Sequence, residues 1–301
     1  MSFDFSGKVA IVTGAGGGLG RAHALSLAAR GASVVVNDLG GARDGSGQNQ
    51  TAAEKVVAEI EAAGGKAIAN GGNVAVEEDM RAMAEAAKAA FGRVDILVNN
   101  AGILRDKTFA KMGLDDFKTV LDVHLTGSVN ATKAVLPMMQ EQNFGRIIMT
   151  TSSSGLYGNF GQSNYGAAKM GLVGLMNTLK LEFSKFGIKV NALAPVAATR
   201  MTDDIMPPQM LELLTPESVS PAVLFLAGDE APNGTIITAG AGSFARAHIV
   251  ESDGLYLGAE ATPEMIAEKW AEISDPASDK HYHQGSDQGQ KFIANAFAAK
   301  G

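Results

Sequence analysis

Cysteine is absent from the 301-residue chain, and this absence removes several kinds of chemistry. The protein can have no disulfide, no thiolate nucleophile and no zinc–sulfur site. The run His281-Tyr282-His283 offers imidazole nitrogens, but no third ligand is evident in the sequence. We therefore expect a solvated tail there and no metal site.

Basic stripes are also lacking, because 25 Lys and Arg residues are interspersed with 32 Asp and Glu residues. A nucleic-acid backbone needs clustered positive charge, so we expect no nucleic-acid partner. No apolar run is long enough to span a membrane. The first residues, MSFDFSGKVAIVTG, enter a strand pattern at once and leave no room for a signal peptide. We therefore expect a cytoplasmic protein without membrane association.

The chain does contain short β-branched runs that alternate with longer helical patterns, and its 46% hydrophobic residues can fill one large core. Strands are predicted at 8–13, 32–37, 66–69, 94–99, 146–151, 189–193 and, more weakly, 234–238, and helices near 21–30, 52–63, 77–91, 114–140 and 163–186. Strands joined by helical crossovers pair in parallel. The pattern predicts an α/β fold, a single doubly wound Rossmann-like domain with a mostly parallel six- or seven-stranded sheet.

The last part of the chain differs in character from this alternation. We divide the sequence into a Rossmann domain, 1–245, and a C-terminal extension, 246–301. The extension has one predicted helix, 263–273, with Trp270 as its expected core anchor, and then a polar tail. It is packed on the domain, appended to it or partly disordered.

A glycine-rich turn, Gly14-Ala15-Gly16-Gly17-Gly18-Leu19-Gly20, connects the first predicted strand to the first predicted helix. Glycine lets backbone approach a pyrophosphate, and a helix N-terminus presents free N–H groups. The alternative is a tight structural turn without a ligand. The strand–turn–helix context favours a dinucleotide site.

The second predicted strand ends at Asn37-Asp38, 18 residues beyond Gly20. A carboxylate there can accept hydrogen bonds from ribose hydroxyls and repels a 2′-phosphate, so we predict NAD as cofactor rather than NADP. Arg43 lies close by in the sequence and would weaken that preference. Segment 40–47 is either a loop that folds over the adenosine or a mobile insertion.

Three ordered motifs lie within roughly residues 5–245. They are Thr13-Gly14-x-x-x-Gly18-x-Gly20, then Asn99-Asn100-Ala101-Gly102, then Tyr165-Gly166-Ala167-Ala168-Lys169 with Ser152 13 residues before the tyrosine. Together they resemble the motifs of the short-chain dehydrogenase/reductase family. Asn73-Val74 stands where the family often has an Asp-Val that touches adenine. The resemblance implies that the cofactor is bound by Gly14, Gly18, Leu19, Gly20, Asp38, Asn73, Val74, Asn100, Ala101, Gly102, Tyr165, Lys169, Pro195 and Thr199, and that Ser152, Tyr165, Lys169 and His124 are catalytic.

The chemistry of the third motif follows from its spacing. Tyr165 and Lys169 lie four residues apart, so both project from one helix face. A neighbouring ammonium and the positive nicotinamide both favour the phenolate, which lets Tyr165 act as general base towards an alcohol or as general acid towards a ketone. Ser152, at the end of a strand, can donate a hydrogen bond to the substrate oxygen.

Two positions depart from the family pattern. His124 stands where the family commonly has an Asn that helps to hold a water between the lysine and bulk solvent. A neutral imidazole carries a donor and an acceptor and can take that place, or His124 is a core histidine bonded to nearby backbone. Pro195-Val196 replaces the usual Pro-Gly after the sixth strand, which leaves the contacts of that loop with the nicotinamide open.

Six further segments carry a narrower resemblance: NDLGG (37–41), NNAGILRD (99–106), GRIIMT (145–150), GLYGNFGQSNY (155–165), Arg200-Met201-Thr202 and 262–270. They are similar to segments in the dehydrogenase domains of peroxisomal multifunctional enzymes of type 2, and the likeness covers nearly the whole chain. Those domains oxidise (3R)-hydroxyacyl-CoA with NAD. The resemblance therefore implies a freestanding enzyme that interconverts (3R)-3-hydroxyacyl-CoA and 3-oxoacyl-CoA, and a homodimer formed through the helices near 114–139 and 163–186.

Other functions stay open. The apolar segment 201–214 is either a lid over an acyl chain or core packing. The competing enzymes are a hydroxysteroid dehydrogenase and an NADPH-linked 3-oxoacyl carrier-protein reductase, and Asp38 argues against the NADPH enzyme. A catalytically inactive NAD-binding regulatory protein is the alternative from another class, and the intact Ser152, Tyr165 and Lys169 set argues against it.

Overall fold

Two compact units divide the chain, Met1–Arg246 and Ala247–Gly301. The structure is a computed structural model, and it describes residues 3–42, 44–47, 51–198 and 208–299. Arg43, Thr199 and the first seven positions of segment 201–214 lie outside the described residues. The expectations that rest on them stay predictions.

One sheet forms the centre of the first unit. Its strands are β1 (Val9–Thr13), β2 (Ser33–Asn37), β3 (Lys66–Asn70), β4 (Ile96–Asn99), β5 (Gly145–Thr150), β6 (Ile188–Val196), β7 (Ile236–Gly240) and β8 (Ser243–Ala247). The strand order is β3-β2-β1-β4-β5-β6-β7-β8, and β1 to β7 pair in parallel. The predicted doubly wound α/β fold is confirmed.

The sheet has eight strands rather than the predicted six or seven, because β8 adds to its edge. β7 and β8 are joined by Ala241 and Gly242, which both have positive φ, 49° and 72°. A two-residue turn of this kind reverses the chain, so β8 runs antiparallel to β7. The residues of β8, SFARA, are mostly exposed and form no apolar run, so the hydrophobic pattern did not predict this strand.

Helices follow most of the strands. In the first unit they are α1 (Gly18–Ala28), α2 (Thr51–Ala62), α3 (Glu77–Phe91), α4 (Leu114–Leu121), α5 (Gly127–Gln142), α6 (Ser153–Tyr157), α7 (Ser163–Glu182), α8 (Pro208–Leu213) and α9 (Ser220–Ala227). The long helix predicted at 114–140 is observed with a π-helical turn, Asp122–Thr126, between α4 and α5. None of the helices in the described part of the chain is long and apolar enough to cross a membrane.

The central strands of the sheet are buried on both faces, and this burial sets the position of the functional edge. The strand β1 is wholly buried, and Ile11 lies opposite Val35 of β2 and Leu97 of β4. Continuous apolar strands of this kind are stabilised by helices on both sides. Polar groups that can contact a ligand therefore lie at the ends of these strands. In parallel sheets ligands bind at the carboxyl edge.

The second unit is helical where it is regular, with α10 (Pro263–Glu268), α11 (Trp270–Ile273) and α12 (Gly285–Ala298). The predicted helix at 263–273 is thus two short helices, and α12 occupies what we expected to be a polar tail. Gln284 and Asp287 form a capping box at its start, a local signal that the sequence does contain. The expectation for Trp270 is wrong, because its side chain is 60% exposed and anchors no core.

Candidate active site

The glycine-rich turn lies at the carboxyl end of β1, between the ends of β2 and β4. Gly14 has φ 65°, and a Cβ at Gly20 would lie 2.2 Å from the Gly14 carbonyl oxygen. Only glycine permits this approach of α1 to the turn. The first turn of α1 therefore presents its free N–H groups at the carboxyl edge of the sheet, where they can bind an anionic group.

Asp38 follows β2 and reaches the same turn. Its Oδ2 accepts a hydrogen bond from the Gly16 N–H at 2.7 Å, and its Oδ1 accepts one from the Gly40 N–H at 2.7 Å. A carboxylate has further lone pairs beyond these two. The structure thus places a negative charge, only partly buried, beside the glycine-rich turn, where sequence reasoning expected it.

The Asn-Asn-Ala-Gly segment after β4 is joined to the glycine-rich turn by hydrogen bonds. Thr13 Oγ1 accepts from the N–H groups of Asn100 and Ala101 at 3.0 and 3.1 Å. The Asn100 side-chain amide donates to the carbonyls of Thr13 and Gly14 at 3.0 and 3.1 Å. Asn100 and Ala101 therefore support the turn from the side of β4.

The remaining predicted cofactor residues are spread along the same edge. The Asn73 N–H donates to Asp79 Oδ2 at 2.8 Å, and the Val74 carbonyl accepts from Asn130 Nδ2 at 3.0 Å, so these two residues are fixed after β3. Pro195 lies near the end of β6. Thr199 falls outside the described residues.

Ser152 and Tyr165 come together from two different elements. Ser152 follows β5 and caps α6, where its Oγ accepts from the Ser154 N–H at 3.2 Å. Tyr165 lies in the first turns of α7, half-buried. Burial raises the pKa of Tyr165, while a hydrogen bond with Ser152 lowers it and the charge of Asp106 raises it further. The phenol is therefore protonated at neutral pH in the protein alone.

Lys169 is buried one turn further along α7. Its Nζ donates to the Thr150 carbonyl at the end of β5, and it lies 5.4 Å from the centre of the Tyr165 ring. No carboxylate pairs with it in the part of the chain that the structure describes. Burial consequently lowers the pKa of Lys169 from its usual value to about 7. Burial thus disfavours the charged form of Lys169, the neighbouring ammonium that sequence reasoning expected.

His124 lies in the π-helical turn and packs against the tyrosine. Its ring meets the Tyr165 ring edge-on, with 5.1 Å between centroids and 89° between planes. His124 Nε2 lies 2.8 Å from the Ile103 carbonyl oxygen and 3.1 Å from the Ile103 nitrogen, while Nδ1 is buried with no partner among the described residues. Burial lowers the pKa of His124 to about 3, and the charge of Lys169 acts in the same direction.

Gly102 provides the space that His124 occupies. A Cβ at Gly102 would lie 2.3 Å from Cε1 of the imidazole. The Asn-Asn-Ala-Gly segment thus connects the glycine-rich turn to His124, and His124 to Tyr165. The structure brings the predicted catalytic residues and the carboxyl edge of β1 into one contiguous site.

Sequence reasoning missed two polar residues at this site. Gln162 donates from Nε2 to Asp106 Oδ2 at 2.7 Å, and its Oε1 accepts from Ser154 Oγ at 2.8 Å. The charge of Asp106 raises the pKa of Tyr165. Both residues belong to segments that carried the narrower resemblance, so a signal was present. Their pairing across 56 positions was not readable from the sequence.

The described residues contain no cluster of three or more His, Cys, Asp or Glu side chains that could hold a metal ion. A nicotinamide dinucleotide, in contrast, fits the groups present: a glycine-rich turn, a helix N-terminus and a carboxylate beside them. When bound, such a cofactor supplies or accepts a hydride.

The family model for short chain dehydrogenases matches residues 8–209, more than half of the chain. The protein belongs to the short-chain dehydrogenase family, whose members are oxidoreductases that typically bind a nicotinamide cofactor and act on small molecules. The resemblance stated from the motifs is confirmed.

Known relatives are similar along almost the whole chain. A short-chain type dehydrogenase/reductase of Mycobacterium tuberculosis is 52% identical over 91% of this chain and 96% of its own length. Peroxisomal multifunctional enzyme A of Dictyostelium discoideum is 49% identical over 91% of this chain, which spans 61% of that enzyme. The solved structure of full-length peroxisomal multifunctional enzyme type 2 from Drosophila melanogaster has a TM-score of 0.82 and 38% identity, covering 97% of this chain and 49% of that one.

Proposed function

We propose that the protein interconverts (3R)-3-hydroxyacyl-CoA and 3-oxoacyl-CoA with NAD as cofactor. The observation that carries this proposal is the similarity to multifunctional enzymes, 49% identity over 91% of the chain in the Dictyostelium case. A match over 91% of the chain is longer than the Rossmann domain, so it includes part of the extension as well. An acyl-CoA substrate is therefore favoured over the steroid and the carrier-protein alternatives.

In this proposal Tyr165 moves the proton and Ser152 orients the substrate oxygen. The phenolate oxygen of Tyr165 takes the hydroxyl proton in oxidation, and the resulting phenol returns it to the ketone oxygen in reduction. The Ser152 hydroxyl hydrogen-bonds to Tyr165 in the protein alone, and when substrate is bound its single O–H donates to the same substrate oxygen. Lys169, with a pKa of about 7, accepts and passes on a proton close to neutrality. His124 stays neutral and keeps the tyrosine ring in place.

The preference for NAD rests on Asp38. Its carboxylate is held beside the glycine-rich turn by the N–H groups of Gly16 and Gly40, so a 2′-phosphate would meet a fixed negative charge. We expect wild-type kcat/KM to be clearly higher with NAD than with NADP. Asp38→Ser should lower the ratio of these two kcat/KM values by roughly tenfold or more, because a like charge close to the 2′-phosphate costs more than about 1 kcal/mol. Wild-type kinetics that favour NADP would contradict this assignment.

One assay separates the proposed function from its alternatives. The purified protein is given NAD or NADP with (3R)- and (3S)-3-hydroxyacyl-CoA of several chain lengths, and with a hydroxysteroid. The appearance of NADH is followed by absorbance. We expect turnover of the 3R form with medium or long chains. Activity confined to steroids, exclusive use of the 3S form, or cofactor binding without any turnover would each favour a different function.

Two further expectations belong to this proposal. We propose a homodimer or higher homo-oligomer formed through the helices at 114–139 and 163–186, and light scattering of the purified protein would test the oligomeric state. A cytoplasmic location stays a prediction, to be tested by fractionation.

A further inference from the structure

The segment that follows β2 makes contacts far from its own strand. We call residues 40–42 and 44–47 the strap. Within it, the Ala42 N–H donates to the Ser46 carbonyl at 2.7 Å, so the strap folds back on itself with its tip at Asp44 and Gly45. The Asp44 carbonyl accepts from Arg105 Nε at 2.9 Å.

The sheet order fixes where the strap runs. β1 lies between β2 and β4, and the strap starts after β2 while Ile103 and Arg105 follow β4. Neighbouring strands are about 4.8 Å apart, so the strap covers roughly two strand spacings along the carboxyl edge. The glycine-rich turn sits at the middle of that interval. The strap therefore crosses the edge at which the cofactor binds in the proposed function.

Arg105 is itself held in place from α4. Its Nη1 donates to Asp116 Oδ1 at 3.2 Å, and Lys107 Nζ binds the other oxygen of Asp116 at 2.9 Å. Arg105 and Lys107 thus share one carboxylate. Among the described contacts, Arg105 of the two donates a hydrogen bond to the strap. A guanidinium can bind a carboxylate and a carbonyl at once, because its donors diverge in a fixed plane.

The strap tip also touches the catalytic side. Gly45 has φ 86°, and a Cβ there would lie 3.2 Å from Cδ1 of Ile103. Ile103 is buried in a cluster against which Tyr165 packs, and its backbone bonds to His124. The contact between strap and Ile103 therefore joins the cofactor edge to the residues around Tyr165.

We propose that Arg105 is a positioning residue that fastens the strap across the cofactor-binding edge, so that a bound nicotinamide dinucleotide is retained between the strap and the glycine-rich turn. This inference rests on the proposed function for the identity of the cofactor. It assigns Arg105 no contact with the reacting atoms. Its effect is on the dissociation of the cofactor.

The first test compares Arg105→Met with Lys107→Met. Both variants remove one cation from Asp116, and Arg105→Met alone removes the hydrogen bond to Asp44. NADH binding and dissociation are measured by fluorescence titration and stopped flow. Arg105→Met should raise the NADH dissociation rate and Kd roughly tenfold, as loss of one charged hydrogen bond would. Lys107→Met should leave both near wild type. In turnover, KM for NAD should rise while kcat stays close to wild type.

A second variant removes the strap tip. Residues 43–45 are replaced by a single glycine, which the closeness of Ala42 and Ser46 allows. This variant should release NADH about as fast as Arg105→Met, and adding Arg105→Met to it should have no further effect. Additive effects, or equal NADH release by Arg105→Met and Lys107→Met, would overturn the proposal. If the wild type binds no NADH at all, the proposed function fails instead, so the two failures are distinguishable.

Discussion

Lys169 lies one helical turn from Tyr165, but its charge favours the Tyr165 phenolate less than this spacing indicates. In the protein alone the pKa of Tyr165 is raised, first by burial, and burial lowers the pKa of Lys169 to about 7. A lysine that is neutral for part of the time is a weak source of positive charge. The hydrogen bond from Ser152 and the positive charge of a bound oxidised cofactor are therefore the influences that favour the phenolate.

We predict that Tyr165→Phe abolishes turnover and leaves NADH binding intact. The ring still packs on His124, whereas the transferable proton is lost. Loss of general acid–base catalysis costs about 100-fold or more. Steady-state rates and fluorescence titration measure the two effects separately. Substantial turnover by the variant would show that another group moves the proton.

Asp106 gives a prediction for the pH profile of the same tyrosine. Its negative charge raises the pKa of Tyr165, and oxidation needs the phenolate, so the oxidation rate rises with pH through that pKa. Asp106→Asn removes the charge and keeps an acceptor for Gln162. The rising limb of kcat/KM should move to lower pH, by a few tenths of a unit because the group is exposed and screened.

The matched control for this experiment is Asp115→Asn, which removes an exposed carboxylate of α4 that is not among the charges acting on Tyr165. Its profile should coincide with that of the wild type. A limb that stays fixed in Asp106→Asn, or moves to higher pH, would contradict the electrostatic role of Asp106.

Residues close in sequence were predictable, and residues joined across the fold were not. One helical turn separates Tyr165 from Lys169, so their common face followed from the sequence. Arg105 and the Asp44 carbonyl are 61 positions apart, and their contact depends on β1 lying between β2 and β4. Sheet order of this kind is a tertiary property that no local pattern encodes.

At the scale of elements, the π-helical turn explains how His124 faces Tyr165. The turn Asp122–Thr126 inserts one residue between α4 and α5, and π turns of this kind often occur at functional sites. Sequence periodicity predicted one helix here, because the insertion changes the phase of the apolar residues without interrupting them. The structure shows features of both alternatives given for His124. Its ring is bonded to the Ile103 backbone, as expected of a core histidine, and it also packs against the catalytic residue Tyr165.

We predict that His124→Gln keeps much of the activity and that His124→Ala loses more. The contact is made through Nε2, whose position the amide nitrogen of Gln can reproduce. Alanine leaves the buried Ile103 carbonyl without its donor, at a cost of about 1–3 kcal/mol, and opens space beside Tyr165. Rates and thermal unfolding of both variants measure this difference.

The ratio of each variant's rate to the wild-type rate should not change between about pH 5 and 8, because a pKa of about 3 keeps His124 neutral there. Equal, near-wild-type rates for both variants across this pH range would leave His124 as a core histidine without a functional role.

Elements were predicted where burial creates an apolar pattern. The strands β1, β2, β4 and β5 are wholly buried or nearly so, and each was predicted from its apolar run. β8 and α12 escaped prediction, since one is exposed and the other has no buried residue. Trp270 shows the converse error, because a large apolar side chain does not by itself indicate a core.

At the scale of the whole molecule, buried histidines link the first strand–helix unit to later parts of the chain. His23 of α1 is fully buried, and its Nδ1 lies 2.9 Å from Ser220 Oγ at the start of α9. Its Nε2 is buried without a partner in the described part of the chain. Burial lowers the pKa of His23 to about 3, as it does for His124. The fold therefore contains two imidazoles that the native state keeps neutral.

This burial predicts acid sensitivity with a definite sign. Each histidine has a folded pKa of about 3, below its unfolded value of 6.5, so the unfolded state binds more protons between those values. Stability is full above about pH 6.5, and as pH falls each histidine removes up to about 1.4 kcal/mol of unfolding free energy per pH unit.

His23→Asn retains a donor for Ser220 and removes one titrating group. Its unfolding free energy is measured with urea from about pH 8 to 5 and should fall less steeply than that of the wild type. The difference between the two slopes should correspond to close to one proton taken up on unfolding. Parallel curves for His23→Asn and the wild type would mean that His23 is protonated in the folded protein, and that burial does not hold it neutral.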